Sequence, residues 1–347
     1  MARYRLVLVG FGVVGQGFMR LLTKKMAHLA QTEDFQAQIV GVYTRRASLY
    51  APQGLEMSLL LAAAESGSIA HYPDQPGVRR DLDALTMLSQ ADYDVLIEVT
   101  PTDFTTGEPA LSHMRTALNG GKAAITVNKG PLALAYRELA ALARDHRTFL
   151  GYEGTVMGGT PCIRLAEAGL AGSLITAIRG VLNATTNYIL QRMEAGVNYA
   201  EALAEAQQLG YAETDPTADV EGYDAAGKIT IFANLLLGGS LRPEQVERTG
   251  ITGLSAADMV AARDAGERWK LIAAAWYDGG KVVASVKPVR LRLDDPLANV
   301  ATNGVIYTTD TLGDVTLIGA GAGGEATGFA ILTDLLAFHK MQSGRVS

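Results

Sequence analysis

The sequence predicts an α/β protein of two domains, and three observations carry that prediction. Strand and helix signals alternate through the first 150 residues. A glycine triplet stands at the first strand-to-helix junction, and from Lys281 onward strand signals follow one another without helices between them. At 347 residues the chain also exceeds what one hydrophobic core ordinarily supports.

Residues 4–9 are a short apolar run ending in glycine, the pattern of a strand buried on both faces of a parallel sheet. Residues 13–29 place Phe18, Leu21, Leu22 and Met26 on one helical side. Further apolar strands are predicted over 38–43, 94–100 and 123–127, with helices over 107–119 and 132–145. Such alternation means βαβ units and a parallel sheet. Near Phe149 the pattern changes: glycines cluster in 151–159, and helical patterns then run to about Gly239. Residues 281–293, 304–309 and 314–318 fit strands of a mainly antiparallel sheet, and a last helix is predicted over 326–338.

Bulk properties exclude several functions. Hydrophobic residues make up 48% and charged residues 19%, so the chain is globular rather than disordered. A formal charge of −6, without a basic run, argues against a nucleic-acid partner. One cysteine, Cys162, rules out an internal disulfide and suits the reducing cytoplasm. The five histidines have no metal-ligand spacing. No apolar run reaches membrane-spanning length, and glycines interrupt the apolar N-terminus where a signal peptide would need continuity.

The glycine triplet is Gly10-Phe11-Gly12-Val13-Val14-Gly15, directly after a strand and before a helix. In that context a GxGxxG predicts a Rossmann dinucleotide-binding domain. Gly10 permits the tight turn, Gly12 lets backbone approach the pyrophosphate, and Gly15 lets the helix pack on the strand. The backbone of Val13 and Val14 opens the helix toward the phosphates. An acid at the end of the second strand would favour NAD, but this strand ends in Arg45 and Arg46. Guanidinium groups suit the 2′-phosphate of NADP, which is preferred without excluding NAD.

Residues 222–237 read as a helix apolar around most of its circumference, the mark of a buried element. Asp224 and Lys228 lie four apart and share a face of it. Burying ions costs several kcal/mol each before compensation, on the order of what only a functional cleft repays. The preceding loop carries Glu213, Asp215, Asp219 and Glu221, able to bind an ammonium group or simply to be solvated. Lys129 follows the strand over 123–127, at the sheet end where ligands bind.

Together these pieces resemble homoserine dehydrogenase. The most specific stretch is 206–228 (AQQLGYAETDPTADVEGYDAAGK), where each characteristic position of that family's signature is filled. Residues 127–133 (VNKGPLA), 183–189 (NATTNYI) and 319–324 (GAGAGG) are similar to other family segments, in family order. The resemblance covers about residues 5–340. It implies reversible reduction of L-aspartate 4-semialdehyde to L-homoserine with NADPH or NADH, in threonine and methionine synthesis. It also implies roles. Lys228 and Lys129 would flank the reacting oxygen, with Lys228 the proton donor and Asp224 orienting it. Glu213, Asp219 and Thr185 would bind the substrate, Glu213 near its amino group. Thr100, Pro101 and Gly323 would join Lys129 at the dinucleotide. A sodium or potassium ion is expected at Glu153 and the carbonyls of Val156, Gly158 and Thr160. The implied organisation is a dinucleotide domain over 1–150, onto which 319–347 packs back, and a catalytic domain over 151–318 whose sheet makes a homodimer.

Ala184 departs from the family, which usually has glycine there, so its β-carbon is expected to narrow the pocket or alter the geometry of the substrate loop. The chain also ends soon after its last helix, so no C-terminal regulatory domain and no threonine inhibition through one are expected. Two alternatives stay open: a dehydrogenase of another small substrate, and a non-catalytic NAD(P) sensor, which would have no use for Lys228, Asp224 and Lys129.

Overall fold

The computed structural model describes residues 2–344, so the last three residues of the segment 319–347 lie outside the described residues. Two compact units divide the chain. One contains the residues up to Gly159 and those from Ala322 on; the other runs from Thr160 to Gly321.

The first unit is built on a six-stranded sheet of order β3-β2-β1-β4-β5-β6. Its strands are β1 (Ala2–Val9), β2 (Phe35–Thr44), β3 (Ala47–Tyr50), β4 (Val95–Glu98), β5 (Ala123–Thr126) and β6 (Leu150–Gly151). All neighbours pair in parallel except β2 and β3, which form a hairpin through Arg45 and Arg46. Leu6, Val7, Leu8 and Val9 are all fully buried, so both faces of β1 are covered. That is why the strand is a continuous apolar run rather than an alternating one. Helices α1 (Val13–Thr32), α2 (Met57–Glu65), α3 (Ala84–Gln90), α4 (Ala110–Asn119) and α5 (Lys129–Asp145) fill the connections.

The C-terminal helix (Gly324–Gln342) belongs to this unit and packs along α1. The approach is close enough that a β-carbon on Gly17 would stand 2.3 Å from the Gly324 carbonyl carbon. Only glycine fits there. Further along, the Tyr4 hydroxyl and His339 Nδ1 are 2.9 Å apart, and His339 Nε2 lies 2.9 Å from the Glu33 carbonyl oxygen. These bonds use both ring nitrogens of a buried histidine.

The second unit holds a sheet of order β12-β11-β7-β9-β10-β8. The strands are β7 (Ile175–Val181), β8 (Glu247–Arg248), β9 (Glu267–Asp278), β10 (Lys281–Arg292), β11 (Asn303–Thr309) and β12 (Gly313–Gly319). Every pairing is antiparallel except β10 with β8. The helices are α6 (Cys162–Arg164), α7 (Ala184–Glu194), α8 (Tyr199–Gln208), α9 (Thr217–Val220), α10 (Tyr223–Leu236) and α11 (Ala256–Asp264). The helical reading of the stretch up to Gly239 is corrected at β7, a central strand that it contained. No helix among the described residues is long and apolar enough to cross a membrane.

Candidate active site

In the first unit β1 and β4 are neighbours, and the chain leaves them toward opposite sides of the sheet. Ligands bind at such a switch point, beyond the carboxyl ends of the strands. The three glycines there have three different physical reasons. Gly10 adopts φ +101°, and a β-carbon on it would stand 2.6 Å from the Val99 carbonyl oxygen. Gly15 faces the Gly10 carbonyl, 3.1 Å from where its β-carbon would be. Gly12 is different: no protein atom lies within 4 Å of its would-be β-carbon. The open space belongs to whatever approaches the backbone from outside, which is the role of a pyrophosphate cradle. Gly12 begins α1 with no side-chain cap, and the first turn holds no acid. The leading amides are therefore available to phosphate oxygens. Val13, 76% exposed, leaves that turn uncovered.

Arg45 and Arg46 form the tip of the β2–β3 hairpin, both exposed. Neither guanidinium has a hydrogen-bond or ion-pair partner among the described residues. They line a cavity of about 610 Å³ together with Phe11, Gln16, Thr44, Ala64, Gly67, Ser68 and Ile69. No carboxylate lines it. The hairpin and this far wall were missed from sequence, because β3 is only four residues long. A dinucleotide fits these residues: open backbone for the pyrophosphate and unpaired cations at the adenosine end. Gly323, at φ +127°, opens the C-terminal helix.

Beyond β4 and β5, Asn128 ties two loops together. Its Nδ2 donates to the carbonyls of Thr100 and Pro101, both at 3.1 Å, and to the Thr100 hydroxyl at 3.2 Å. Its Oδ1 accepts from the Gly130 amide at 3.0 Å and so caps α5, whose first residue is Lys129. Thr100, Pro101 and Lys129 thus share one hydrogen-bonded frame, held by Asn128, which the sequence reading named only within the segment 127–133. Its signal was an N-cap residue directly before a helix.

In the second unit the structure gathers Lys228, Asp224 and Asp219. Helix α10 starts after Gly222, in the left-handed conformation, and buries Ala225 to Ala233. Lys228 is 8% exposed; its Nζ lies 2.6 Å from Asp224 Oδ2 and donates to the Leu182 carbonyl at 2.7 Å. Asn183 Nδ2 donates to Asp219 Oδ1 at 2.6 Å and to Asp224 Oδ2 at 3.0 Å. Its Oδ1 meanwhile accepts from the Thr186 amide and caps α7. One amide therefore bridges two carboxylates and starts a helix. Asn183 was quoted from sequence only as part of a segment, because its partners lie 36 and 41 residues away. Thr185 is buried beside Asp219 and donates to the Tyr211 carbonyl at 2.6 Å.

The rest of the acidic loop divides. Asp215 accepts from the Thr217 amide and Glu221 from the Thr252 hydroxyl, so both have local structural partners. Glu213 is exposed, and no contact joins its carboxylate to the Lys228 cluster among the described residues.

Asp219 carries the cluster's clearest electrostatic signature. Burial and the neighbouring Asp224 charge hold its carboxyl above the usual range, against the Asn183 amide, the Lys228 ammonium and the Thr185 hydroxyl. With the folded pKa raised, its contribution to stability is complete below the ordinary carboxylate range. That contribution is lost as pH rises through the raised value. Asp219→Asn is therefore expected to raise Tm over wild type by about 2 °C near pH 8. The gain vanishes below about pH 3.5. A Tm difference that does not change with pH contradicts this.

Among the cation candidates, Glu153 is 3% exposed and its amide donates to Asp334 Oδ2 at 3.0 Å. Val156 is buried, and Gly158 turns at φ +54°. In the second unit the Thr160 hydroxyl donates to the Ala320 carbonyl at 2.9 Å. Among the described residues no cluster of three or more His, Cys, Asp or Glu is placed to hold a metal. Any cation at this segment would draw mainly on carbonyl oxygens, the donors a hard ion takes.

Two family models match the chain. "Homoserine dehydrogenase, NAD binding domain" covers residues 10–153, and "Homoserine dehydrogenase" covers residues 161–336. A protein of Pseudomonas canavaninivorans named NAD(+)-dependent homoserine dehydrogenase is 44% identical, over 98% of this chain and 97% of the relative. The homoserine dehydrogenase of Methanocaldococcus jannaschii is 37% identical, over 96% of this chain and 98% of its own. A hyperthermophilic archaeal homoserine dehydrogenase solved in complex with NADPH superposes with a TM-score of 0.83 at 27% identity. That likeness covers 99% of this chain and 98% of the other. Matched along nearly its whole length, this chain belongs to the homoserine dehydrogenase family, as an NAD(P)-dependent oxidoreductase.

Proposed function

We propose that the chain interconverts L-aspartate 4-semialdehyde and L-homoserine, with NADP as the preferred dinucleotide, in threonine and methionine synthesis. The observation that carries the chemistry is the Lys228 ammonium, buried between the Asp224 carboxylate and the Leu182 carbonyl. When bound, the nicotinamide supplies or receives the hydride. In the reducing direction negative charge grows on the aldehyde oxygen; the Lys228 ammonium stabilises that charge and delivers the proton. In the oxidising direction the same nitrogen takes the hydroxyl proton. Asp224 orients Lys228, and Asp219 and Thr185 hold the polar end of the substrate. Glu213, exposed on the loop, binds the substrate's ammonium group, and Lys129 is the second lysine of the reaction.

Arg45 and Arg46, without side-chain partners among the described residues and facing a cavity that no carboxylate lines, support NADP over NAD. The relative named NAD(+)-dependent favours the second reading, NAD. Initial rates with both dinucleotides decide between them. Removing both guanidiniums (Arg45→Ala with Arg46→Ala) is expected to raise KM for NADP at least about tenfold, since charge-assisted bonds to a phosphate contribute about 1.5–3 kcal/mol each. KM for NAD should stay within about twofold. Equal changes for the two dinucleotides would show that the arginines do not read the 2′-phosphate.

A monovalent cation held by Glu153 and the Val156, Gly158 and Thr160 carbonyls belongs to the same proposal, supported by the burial of the Glu153 carboxylate. So do a homodimer and a cytoplasmic location, supported by family membership and by the single buried cysteine.

A further inference from the structure

The last residue of β4 is a carboxylate that the reaction as described does not use. Glu98 is fully buried. Its Oε1 accepts from the Thr100 amide at 3.2 Å and from the Thr100 hydroxyl, while its Oε2 has no hydrogen-bond partner among the described residues. From α4, His113 brings Nδ1 to 3.6 Å from Oε1; this ring is also buried, and that nitrogen also lacks a hydrogen bond. A buried acid left half-satisfied beside a half-satisfied histidine is a poor device for stability. An apolar residue at the end of an apolar strand would serve the core better.

What Glu98 does accomplish is local. It grips both the backbone and the side chain of Thr100, and Thr100 is the residue whose carbonyl and hydroxyl receive the Asn128 amide. Asn128 in turn caps α5 at Lys129. The Thr126 hydroxyl closes the frame, donating to the Glu98 carbonyl at 3.2 Å and accepting from the Asn128 amide at 2.9 Å. The buried carboxylate thus anchors a chain of hydrogen bonds that ends at the first turn of α5.

We propose that Glu98 is a positioning residue for the nicotinamide half of the dinucleotide, acting through Thr100 and Asn128 on the Thr100–Pro101 turn and on Lys129. This rests on reading that turn as the nicotinamide side. The adenosine end, at Gly12, Arg45 and Arg46, has no hydrogen bond to this frame among the described residues.

This separation supplies the test. Dissociation constants are measured by calorimetry for NADPH and for 2′-phospho-adenosine diphosphate ribose, which lacks only the nicotinamide. NADH and adenosine diphosphate ribose serve as the parallel pair. For Glu98→Leu, the Kd of the whole dinucleotide is expected to rise at least about tenfold, and that of the truncated ligand to stay within about twofold. Glu98→Gln, which still offers Thr100 an acceptor, is expected to remain within about threefold of wild type for both ligands. Unchanged dinucleotide binding in Glu98→Leu overturns the proposal, and so does equal weakening of both ligands in a folded protein. Should Glu98→Leu fail to fold, Thr100→Val removes the hydroxyl's bonds to Glu98 and Asn128 while keeping the backbone amide bond to Glu98. The same selective loss is expected there, and its absence overturns the proposal equally. If wild type binds the dinucleotide no more tightly than the truncated ligand, the nicotinamide reading of the turn fails, and the proposal with it. Homoserine turnover is not involved in any arm, so the substrate assignment stands or falls separately.

Discussion

Lys228→Ala is expected to lower kcat by about 10²–10⁴-fold, because one nitrogen both stabilises the developing oxyanion and exchanges the proton. KM for the dinucleotide should barely move. The variant also leaves the Asp224 carboxylate with the Asn183 amide but without its ammonium. A loss of stability of about 1–3 kcal/mol follows from losing that buried ion pair. Lys228→Arg separates the two roles. A guanidinium keeps the positive charge but does not release a proton, so charge alone should restore little of the rate. Steady-state kinetics with thermal melts measure both effects. Near-wild-type kcat in Lys228→Ala would remove this lysine from the chemistry.

The second large effect is expected at the glycine triplet, as a contrast between two neighbours. Gly10→Ala forces a β-carbon to 2.6 Å from the Val99 carbonyl oxygen at a φ of +101°. The obstacle is backbone, which does not swing aside, so a loss of about 3 kcal/mol or more is expected, together with dinucleotide binding. Gly12→Ala meets no protein atom within 4 Å. Its φ of −81° suits alanine, so stability should change by less than about 1 kcal/mol. Dinucleotide affinity should nonetheless fall at least about tenfold, because the new methyl group occupies the pyrophosphate's space. Melting curves and calorimetric titration of both variants give the comparison. If Gly12→Ala binds as tightly as wild type, the cradle is not where the pyrophosphate lies.

The parts of the fold legible in sequence are those where burial is nearly complete. β1, β2, β4 and β5 are covered on both faces and stand out as apolar runs. β9 was missed because its middle is Ala273, Ala274 and Ala275, side chains with more helical than strand preference. Here pairing with β7 and β10 on either side decides the conformation. β7 was missed because Arg179 and Gly180 interrupt its apolar pattern. Gly180 is needed where a β-carbon would stand 2.6 Å from the Gly304 carbonyl oxygen. In contrast, α8 carries local signals at both ends: Asn198 accepts from the Glu201 amide, and Gly210 follows the helix at φ +76°.

The site followed the same division. Asp224 and Lys228 were legible because a helix brings i and i+4 together whatever surrounds it. The Asn183 bridge and the Glu98–Thr100–Asn128 frame were not, because tertiary pairing of separate segments creates them. The polar residues Thr230 and Asn234 of the otherwise apolar α10 have local partners. Thr230 bonds back to the Ala226 carbonyl, and Asn234 ties down Leu241 through both of its polar atoms.

The most direct test is the initial rate of dinucleotide reduction by the purified protein with L-homoserine, read at the reduced-nicotinamide absorbance, with sodium or potassium present. The account predicts turnover that requires L-homoserine, is faster with NADP than with NAD, and collapses in Lys228→Ala. Absence of turnover with either dinucleotide, in either direction, would contradict it.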